Sequence, residues 1–206
     1  MYEGVHLYSL ASIFGAFNSM IKIYKELETE FENNRLKQEA INKQKTILEK
    51  KTLEIKEFII KNLYDEKRKS FVRNLEDGKI DISILGAVVP FNMFTAKEKR
   101  VLNTIEKINL TLRTYTGGYQ RFENDHYMNG NPWVIATLWM ALYYIELKET
   151  KKAKECFDFV VKTATKHGFL SEQIDNVKLQ PAWVIGLAWS HAMFIIVLQK
   201  LYGGNK

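Results

Sequence analysis

Three stretches of the chain carry no Lys, Arg, Asp or Glu, and each is long enough for several helical turns. They are residues 4–21, 131–145 and 181–199. A helix that is apolar on every face is normally surrounded by protein or by lipid. The third stretch is long enough to consider a membrane span, but it holds Trp183, Trp189, Ser190 and His191. We therefore predict helices buried on all sides in protein, and no membrane segment.

Amphipathic helices are predicted between the uncharged stretches. Residues 22–61 and 96–112 repeat apolar positions among Lys and Glu at helical spacing, and the first of these segments is predicted to break at Asn33-Asn34. Thr150 is predicted to cap a further helix, whose apolar residues recur at positions three and four apart. Helices that are apolar on one face are expected to expose their other face to water.

The remaining segments are predicted to be connections, with Gly168 ending the helix that Thr150 begins. Residues 77–94 contain two glycines and Pro90, which favours a loop with a short helical piece at residues 82–85. Apolar runs elsewhere are too short to predict a strand, so the chain is predicted to be all-α. Fully apolar helices alternate with amphipathic ones, as in a double ring of inner and outer helices, whereas a four-helix bundle makes every helix amphipathic.

Composition and charge narrow the class of protein. A chain of 206 residues can form one domain with a core. The net charge of +6 is spread among Glu residues without a block of five like charges, which indicates solvated helix faces and no nucleic-acid partner. Cys156 is the only cysteine, and the four histidines show no i,i+4 pair, so we predict no disulfide, no metal and no cofactor. With no basic segment of a signal peptide at the start, we predict a cytoplasmic protein.

The first group of candidate functional residues directly precedes the second uncharged stretch, residues 131–145. Arg121 offers a fixed cation with five hydrogen-bond donors, and Glu123 and Asp125 offer acceptors. Pro132 is predicted in the first turn of the following helix, with Asn131 as its cap. Such a cluster can bind sugar hydroxyls by bidentate hydrogen bonds. The alternative is a polar loop that only satisfies its own backbone.

The second cluster lies near the end of the chain. Glu172 falls on the predicted connection 168–180 between two helices, and Trp183 and Trp189 fall on the predicted helix that follows. A loop carboxylate is normally only solvated, and tryptophans in an apolar helix are normally part of a core. From the residues alone, both a structural and a functional interpretation stay open.

Three motifs, in this order, resemble those of the glucoamylase-like glycoside hydrolases. Residues 118–133 resemble the family run Gly-Arg-Tyr-x-x-Asp-x-Tyr-x-Gly-Gly/Asn-Asn-Pro-Trp. Residues 170–173, Leu-Ser-Glu-Gln, resemble its Leu-x-Glu-Gln motif, and residues 187–192 resemble its Leu-x-Trp-Ser-x-Ala motif. Residues 1–9 resemble the stretch that follows the family's Trp-Glu dipeptide. Three motifs matched in order are more specific than any one of them.

The resemblance implies an (α/α)6 barrel, or toroid, of which residues 1–206 would form the C-terminal part with about seven helices. It also implies that glucose is removed from the non-reducing ends of α-glucans or malto-oligosaccharides by an inverting mechanism with two carboxyl groups. Glu172 falls at the family's general base. Arg121, Trp133 and Trp189 fall in the substrate subsite, and Asp125 would support Arg121.

The chain departs from the family pattern at its start. The family's general acid is the Glu of the Trp-Glu dipeptide, and this chain opens after it. Glu3 is the nearest carboxylate, but the Gly4-Val5-His6 match fixes a different register. We therefore expect the C-terminal part of a longer enzyme, inactive alone, that needs the missing N-terminal half or a partner chain. The alternatives are a trehalase-like or dextran-acting enzyme, and a non-catalytic helical interaction or sugar-binding protein with the same fold.

Overall fold

Six α-helices make up most of the chain between residues 4 and 203, which are the residues that this computed structural model describes. The helices are α1 (Leu7–Glu30), α2 (Arg35–Asn62), α3 (Lys99–Thr111), α4 (Val134–Glu146), α5 (Thr150–Lys162) and α6 (Ala188–Tyr202). The predicted all-α class is confirmed. Glu3, considered above as a carboxylate near the acid position, lies outside the described residues.

Two short antiparallel hairpins and two 3₁₀ segments connect these helices. The first hairpin pairs β1 (Tyr64–Asp65) with β2 (Ser70–Phe71), and the second pairs β3 (Ser171–Ile174) with β4 (Pro181–Ile185). The 3₁₀ segments are Ile82–Ala87 and Tyr127–Gly130. The sequence predicts neither hairpin, because strands of two to five residues give almost no periodic signal. The short helical piece predicted at residues 82–85 is confirmed as the first 3₁₀ segment.

The break predicted at Asn33-Asn34 is confirmed between α1 and α2. The side-chain oxygen of Asn34 accepts a hydrogen bond from the Lys37 N–H at 3.1 Å, so Asn34 satisfies one of the free donors at the start of α2. The two helices pack against each other, and Lys45 of α2 forms an ion pair with Glu28 of α1. Residues 7–62 therefore form a helical hairpin.

Two predicted helix caps are wrong. Helix α4 begins at Val134, with Trp133 at the cap position, so Pro132 precedes the helix and Asn131 does not cap it. Trp133 has extended backbone angles because it forms β-bridges with Tyr119 and with Gln173. Thr150 is the first residue of α5 instead of its cap, and neither it nor the residue before it caps the helix through a side chain. The position at which α4 begins is therefore set by the long-range pairing of Trp133.

Helix α4 is the most deeply buried of the six described α-helices. Its contacts are with α5, α6, β3 and the first 3₁₀ segment, and nine of its 13 residues are buried. The buried aromatic and aliphatic side chains of α4 join those of α3, α5 and the connecting segments in one core. The start of α4, where the predicted site lies, is therefore held on several sides.

Helices α1 and α6 are much less buried than the sequence predicts. Only Leu7, Ala11, Phe14 and Ile21 of α1 are buried. Helix α6 buries only Ser190 and Val197 among its 15 residues. Each helix has one side that no described residue covers, so large apolar side chains there reach solvent. These are Ile13, Met20, Ile23, Ile195, Ile196 and Leu198.

Residues 181–199 do not form one helix, which corrects the sequence prediction. Residues 181–185 form β4, Gly186 turns the chain with a φ of +79°, and α6 follows. Pro181 suits the first position of a strand, and the aromatic and β-branched residues after it favour extended backbone. Trp183 lies within β4, where the pairing with β3 is irregular and its φ is +67°. Glu172 also lies on a strand, β3, and not on a loop.

No helix within residues 4–203 is long and apolar enough to cross a membrane.

Candidate functional site

Backbone pairing brings the two predicted clusters together at the start of α4. Trp133 N–H donates to Tyr119 O at 2.8 Å, and Ile174 N–H donates to Pro132 O at 3.0 Å. The chain of bridges runs from Tyr119 through Trp133 to Gln173, and β3 then pairs with β4. The segment that contains Arg121 and the strand that contains Glu172 therefore share one scaffold, although 50 residues separate them in the sequence.

Arg121 and Asp125 form a bidentate ion pair. Arg121 Nε donates to Asp125 Oδ2 at 2.8 Å, and Nη2 donates to Oδ1 at 3.0 Å. Asp125 is 3% exposed, and its Oδ1 also accepts the Tyr127 N–H at 3.1 Å. Both carboxylate oxygens are thus occupied within the protein, and the planar fork of the guanidinium is held in one orientation.

Aromatic rings surround the Arg121 guanidinium. Its central carbon lies 4.2 Å from the ring centre of Trp133, 5.1 Å from that of Tyr127 and 5.2 Å from that of Phe122. These contacts add cation–π attraction to the ion pair. Among the described residues nothing accepts a hydrogen bond from Nη1, so this end of the guanidinium can donate to a ligand.

Arg121, Trp133 and Trp189 line one cleft of about 610 Å³. It is lined by His6, Tyr8, Ser9, Asp81, Ile82, Ser83, Arg121, Phe122, Trp133, Ile135, Ala136, Trp139 and Trp189. Tyr8 of α1 and Trp139 of α4 stack with ring centres 6.2 Å apart. The cleft combines aromatic surface with a few polar groups, which is the usual composition of a small-molecule site.

Trp133 has a buried indole N–H without a partner among residues 4–203. The side chain is 4% exposed and lines the cleft. A buried donor without a hydrogen bond costs about 1–3 kcal/mol. Gln173, which faces Trp133 across a β-bridge, likewise has a buried Oε1 without a described partner. These two atoms give the site unused hydrogen-bonding capacity.

Glu172 lies on β3, the strand that is bridged to Trp133 through Gln173. It is not among the residues that line the cleft. It is partly buried on β3, and its Oε2 accepts a hydrogen bond from Gln173 Nε2 at 3.0 Å. Asp125 also lies outside the lining, since it is bound to Arg121. The structure therefore brings Arg121, Trp133 and Trp189 into one cleft, with Asp125 next to it and Glu172 on the adjoining strand.

Glu123 and Trp183, two further residues considered in the sequence, form contacts outside the cleft. Glu123 Oε2 accepts from Arg68 Nη2 at 2.7 Å and from the Ile80 N–H at 3.1 Å, so it fastens two segments together. Trp183 Nε1 donates to Tyr127 OH at 2.9 Å, and the tryptophan is 54% exposed instead of lying in a core. Trp183 thus extends the aromatic group around Arg121 on the side of β4.

The sequence analysis missed Asp81, a partly buried carboxyl that lines the cleft. Its Oδ1 accepts the Ser83 N–H at 2.8 Å, as the cap of the first 3₁₀ segment. Burial raises the pKa of the Asp81 carboxyl above its usual range, against hydrogen bonds from Ser83 and the charges of Arg73 and His6, which lower that pKa. The Asp-x-Ser spacing signals a cap, but nothing in it signals a cleft.

No group of three or more His, Cys, Asp or Glu side chains within residues 4–203 is arranged to hold a metal ion. Burial raises the pKa of the Cys156 thiol to about 12, so this thiol remains protonated.

Comparison with known sequences identifies relatives of this chain. The family model for glycosyl hydrolases family 15 matches residues 2–158. An uncharacterized glycosyl hydrolase of Methanocaldococcus jannaschii is 34% identical over 178 residues, which cover 78% of this chain and 29% of that protein. A trehalase of Thermoplasma volcanium is 26% identical, covering 95% of this chain and 30% of its own length.

Solved structures share the fold. A wild-type glycosidase matches with a TM-score of 0.76 and 18% identity, covering 97% of this chain and 52% of that one. The glucoamylase from Saccharomycopsis fibuligera matches with a TM-score of 0.75 and 12% identity, covering 98% of this chain and 56% of that one. The chain thus spans about half of these (α/α)6 barrels and less than a third of the curated relatives described above. With most of its length matched by the family model, this chain belongs to glycosyl hydrolase family 15.

Proposed function

We propose that this chain is the base-bearing part of an inverting glycoside hydrolase that releases glucose from the non-reducing ends of α-glucans. The family itself acts in carbohydrate hydrolysis. The observation that best supports the finer proposal is the Arg121–Asp125 fork against Trp133, in a cleft that adjoins the strand carrying Glu172. Each of these residues also falls at a functional position of the matched sequence motifs.

In this proposal the cleft binds the terminal glucose. Arg121 donates from its free Nη1 to ring hydroxyls, and the fixed orientation of the fork limits the entropy lost on binding. Trp133 and Trp189 supply apolar surface for the sugar C–H faces, and the unused Trp133 N–H donates to a sugar oxygen. Asp125 acts through Arg121 and is therefore a positioning residue.

Glu172 acts as general base in this proposal. Its carboxylate accepts a proton from a water molecule, which attacks the anomeric carbon from the face opposite the leaving oxygen. An acid on the other side of the sugar, roughly 6.5–9.5 Å from the base in inverting enzymes, protonates that leaving oxygen. The bond from water to carbon forms as the glycosidic bond breaks, so the product is the β-anomer.

We infer that the general acid comes from helices outside the described part of this chain. The resemblance assigns only the base, Glu172, to this chain. The exposed apolar side chains of α1, β4 and α6 form the edge against which those helices would pack. Large apolar side chains exposed in this number indicate a contact with other protein. The missing helices belong either to a longer chain or to a partner chain.

Trehalose is the second candidate substrate. Proteins named trehalase from Sulfolobus acidocaldarius and Thermoplasma volcanium are 26–31% identical to this chain over the matched residues. Trehalose and an α-glucan end present the same non-reducing α-glucosyl unit, so the cleft as described suits both. The non-catalytic alternative keeps the same cleft for binding and lacks hydrolysis.

One experiment separates these functions. The complete enzyme is mixed with maltose, soluble starch or trehalose, and the anomeric protons of the first product are followed by NMR before mutarotation. The proposal predicts β-glucose from starch, β-glucose from the non-reducing unit of maltose beside the mixed anomers of its reducing unit, and equal α- and β-glucose if trehalose is the substrate. Initial release of α-glucose from starch rules out inversion, and binding without hydrolysis of any of the three supports the non-catalytic alternative.

A further inference from the structure

Asp81 stands at the cleft through a backbone pairing with the segment that carries Arg121. Ile82 N–H donates to Arg121 O at 2.7 Å, and Glu123 N–H donates to Ile80 O at 2.8 Å. These two bonds flank the antiparallel bridge between Asp81 and Phe122. Side chains of such a directly opposed pair lie on the same face, and both of these line the cleft. The position of Asp81 relative to Arg121 is therefore fixed by the backbone.

The Asp81 carboxylate forms few hydrogen bonds within the protein. Among the described residues its hydrogen bonds come from Ser83 alone, and it forms no ion pair of 4.0 Å or less. Arg121 pairs with Asp125 and not with Asp81, although Arg121 and Asp81 line the same cleft. Both a carboxylate and a guanidinium therefore line this cleft without pairing with each other.

Burying the Asp81 carboxyl costs free energy unless a ligand forms hydrogen bonds with it. Burial disfavours the charged form of Asp81 and raises its pKa, whereas an asparagine could supply the same cap to Ser83 without a charge. The buried Trp133 N–H in the same cleft is a second polar group without a described partner. Both groups point to a polar ligand that accepts from one and donates to the other.

We propose that Asp81 is a further substrate-binding residue, which accepts a hydrogen bond from a hydroxyl group of a pyranose held by Arg121. Asp81 offers an acceptor and Arg121 Nη1 offers a donor in the same cleft, so one hydroxyl of the sugar can donate to the first while another accepts from the second. This inference rests on the proposed carbohydrate function of the cleft. It adds a residue outside the three matched sequence motifs.

The test compares the chain with its Asp81→Asn variant. Asparagine keeps the cap on Ser83 but weakens the acceptor, so the fold is retained. Titration with methyl α-glucoside, followed by tryptophan fluorescence and by saturation-transfer NMR, should show binding roughly 10–100-fold weaker in the variant, the range for a hydrogen bond to a charged group. Asp158→Asn, an exposed change on α5, is the matched control and should bind as the original chain does.

Monodeoxy analogues of methyl α-glucoside then identify the hydroxyl. One analogue, lacking the hydroxyl that Asp81 accepts from, should bind the original chain weakly and lose little further affinity in Asp81→Asn. The other analogues should bind Asp81→Asn more weakly than the original chain by the same roughly 10–100-fold as methyl α-glucoside does. A merely structural role would instead weaken all analogues equally and lower the thermal unfolding midpoint of the variant.

The outcomes separate this inference from the proposed function. Methyl α-glucoside binding that is unchanged within twofold in Asp81→Asn overturns the role of Asp81 and leaves the cleft as a sugar site. An equal loss for every monodeoxy analogue also overturns it. Failure of the original chain to bind methyl α-glucoside overturns both the sugar cleft and the role of Asp81.

Discussion

At the scale of single residues, the central feature is a guanidinium held from two directions. Asp125 fixes Arg121 by two hydrogen bonds, and the Trp133 ring lies against its face. The resemblance to the family motif implies that Asp125 supports Arg121, and the ion pair agrees with that expectation. The sequence does not predict Asp81, since that residue reaches the cleft only through a bridge to Phe122, 41 positions away.

Lysine should not replace Arg121. Arg121→Lys keeps the charge, but an ammonium cannot bind both Asp125 oxygens in a fork and donate to a sugar at the same time. We expect affinity for a glucose-like inhibitor to fall roughly 10–100-fold, measured by isothermal titration calorimetry. Arg35→Lys, an exposed change on α2, serves as control. Full affinity in Arg121→Lys would show that the planar fork is not needed.

Glu172→Gln should remove most hydrolysis in the complete enzyme while it keeps sugar binding. The amide has the shape of the carboxylate but cannot take a proton from water, so turnover should fall by roughly 10²–10⁴-fold. Fluoride leaves α-glucosyl fluoride without protonation, so loss of a base abolishes its hydrolysis whereas loss of an acid does not. We therefore expect Glu172→Gln to lose activity on both maltose and α-glucosyl fluoride.

The control for that variant is Glu155→Gln, an exposed change on α5 that should leave both activities unchanged. Retention of fluoride hydrolysis in Glu172→Gln would assign Glu172 as an acid. Unchanged turnover of maltose would remove Glu172 from the mechanism altogether.

At the scale of elements, hydrophobic patterning predicts the helices and their order but not the β3–β4 hairpin. An uncharged run such as residues 181–199 does not distinguish a buried strand from a buried helix by periodicity. The outcome is decided by pairing with β3, which the local sequence does not encode. The same reason explains the start of α4, where the bridges of Trp133 keep Pro132 and Asn131 out of the helix.

Gly186 should be needed for the change from β4 to α6. Its φ of +79° is disfavoured for residues with a side chain, and an added Cβ meets only Phe169 at 3.9 Å, so the cost is mainly conformational. Gly186→Ala should lower the free energy of unfolding by about 1 kcal/mol in a urea titration. Gly78→Ala, where an added Cβ has no neighbour within 4 Å, is the control. Equal effects of the two changes would contradict the assigned backbone constraint.

At the scale of the whole molecule, this chain is about half of a barrel. Its solved neighbours extend for roughly as long again beyond the matched part. The alternation of apolar and amphipathic helices predicts a double ring of helices, and the resemblance to the family motifs implies that this chain forms only the C-terminal part of it. The burial of each apolar helix is less predictable, because α1 and α6 are described here without the neighbours that a full ring supplies.

The exposed edge predicts self-association of the isolated chain. Apolar residues of α1, β4 and α6 are 40–54% exposed, among them Met20, Trp183, Ile185 and Ile195. Burying such a surface against a second protein is favourable. Sedimentation velocity on the purified 206-residue chain should therefore reveal oligomers or aggregates. A monodisperse monomer across the concentration range would show that these exposed apolar residues do not drive association.

We propose that this chain holds the base and the sugar cleft of a hydrolase whose acid lies elsewhere. Glucose release from maltose by the purified 206-residue chain tests this directly. We expect no release above the buffer background, because a positioned acid contributes roughly 10²–10⁴-fold and the family resemblance assigns only the base to this chain. Hydrolysis of maltose by a monomeric chain would refute the proposal, and Glu3 would then be the acid to change first.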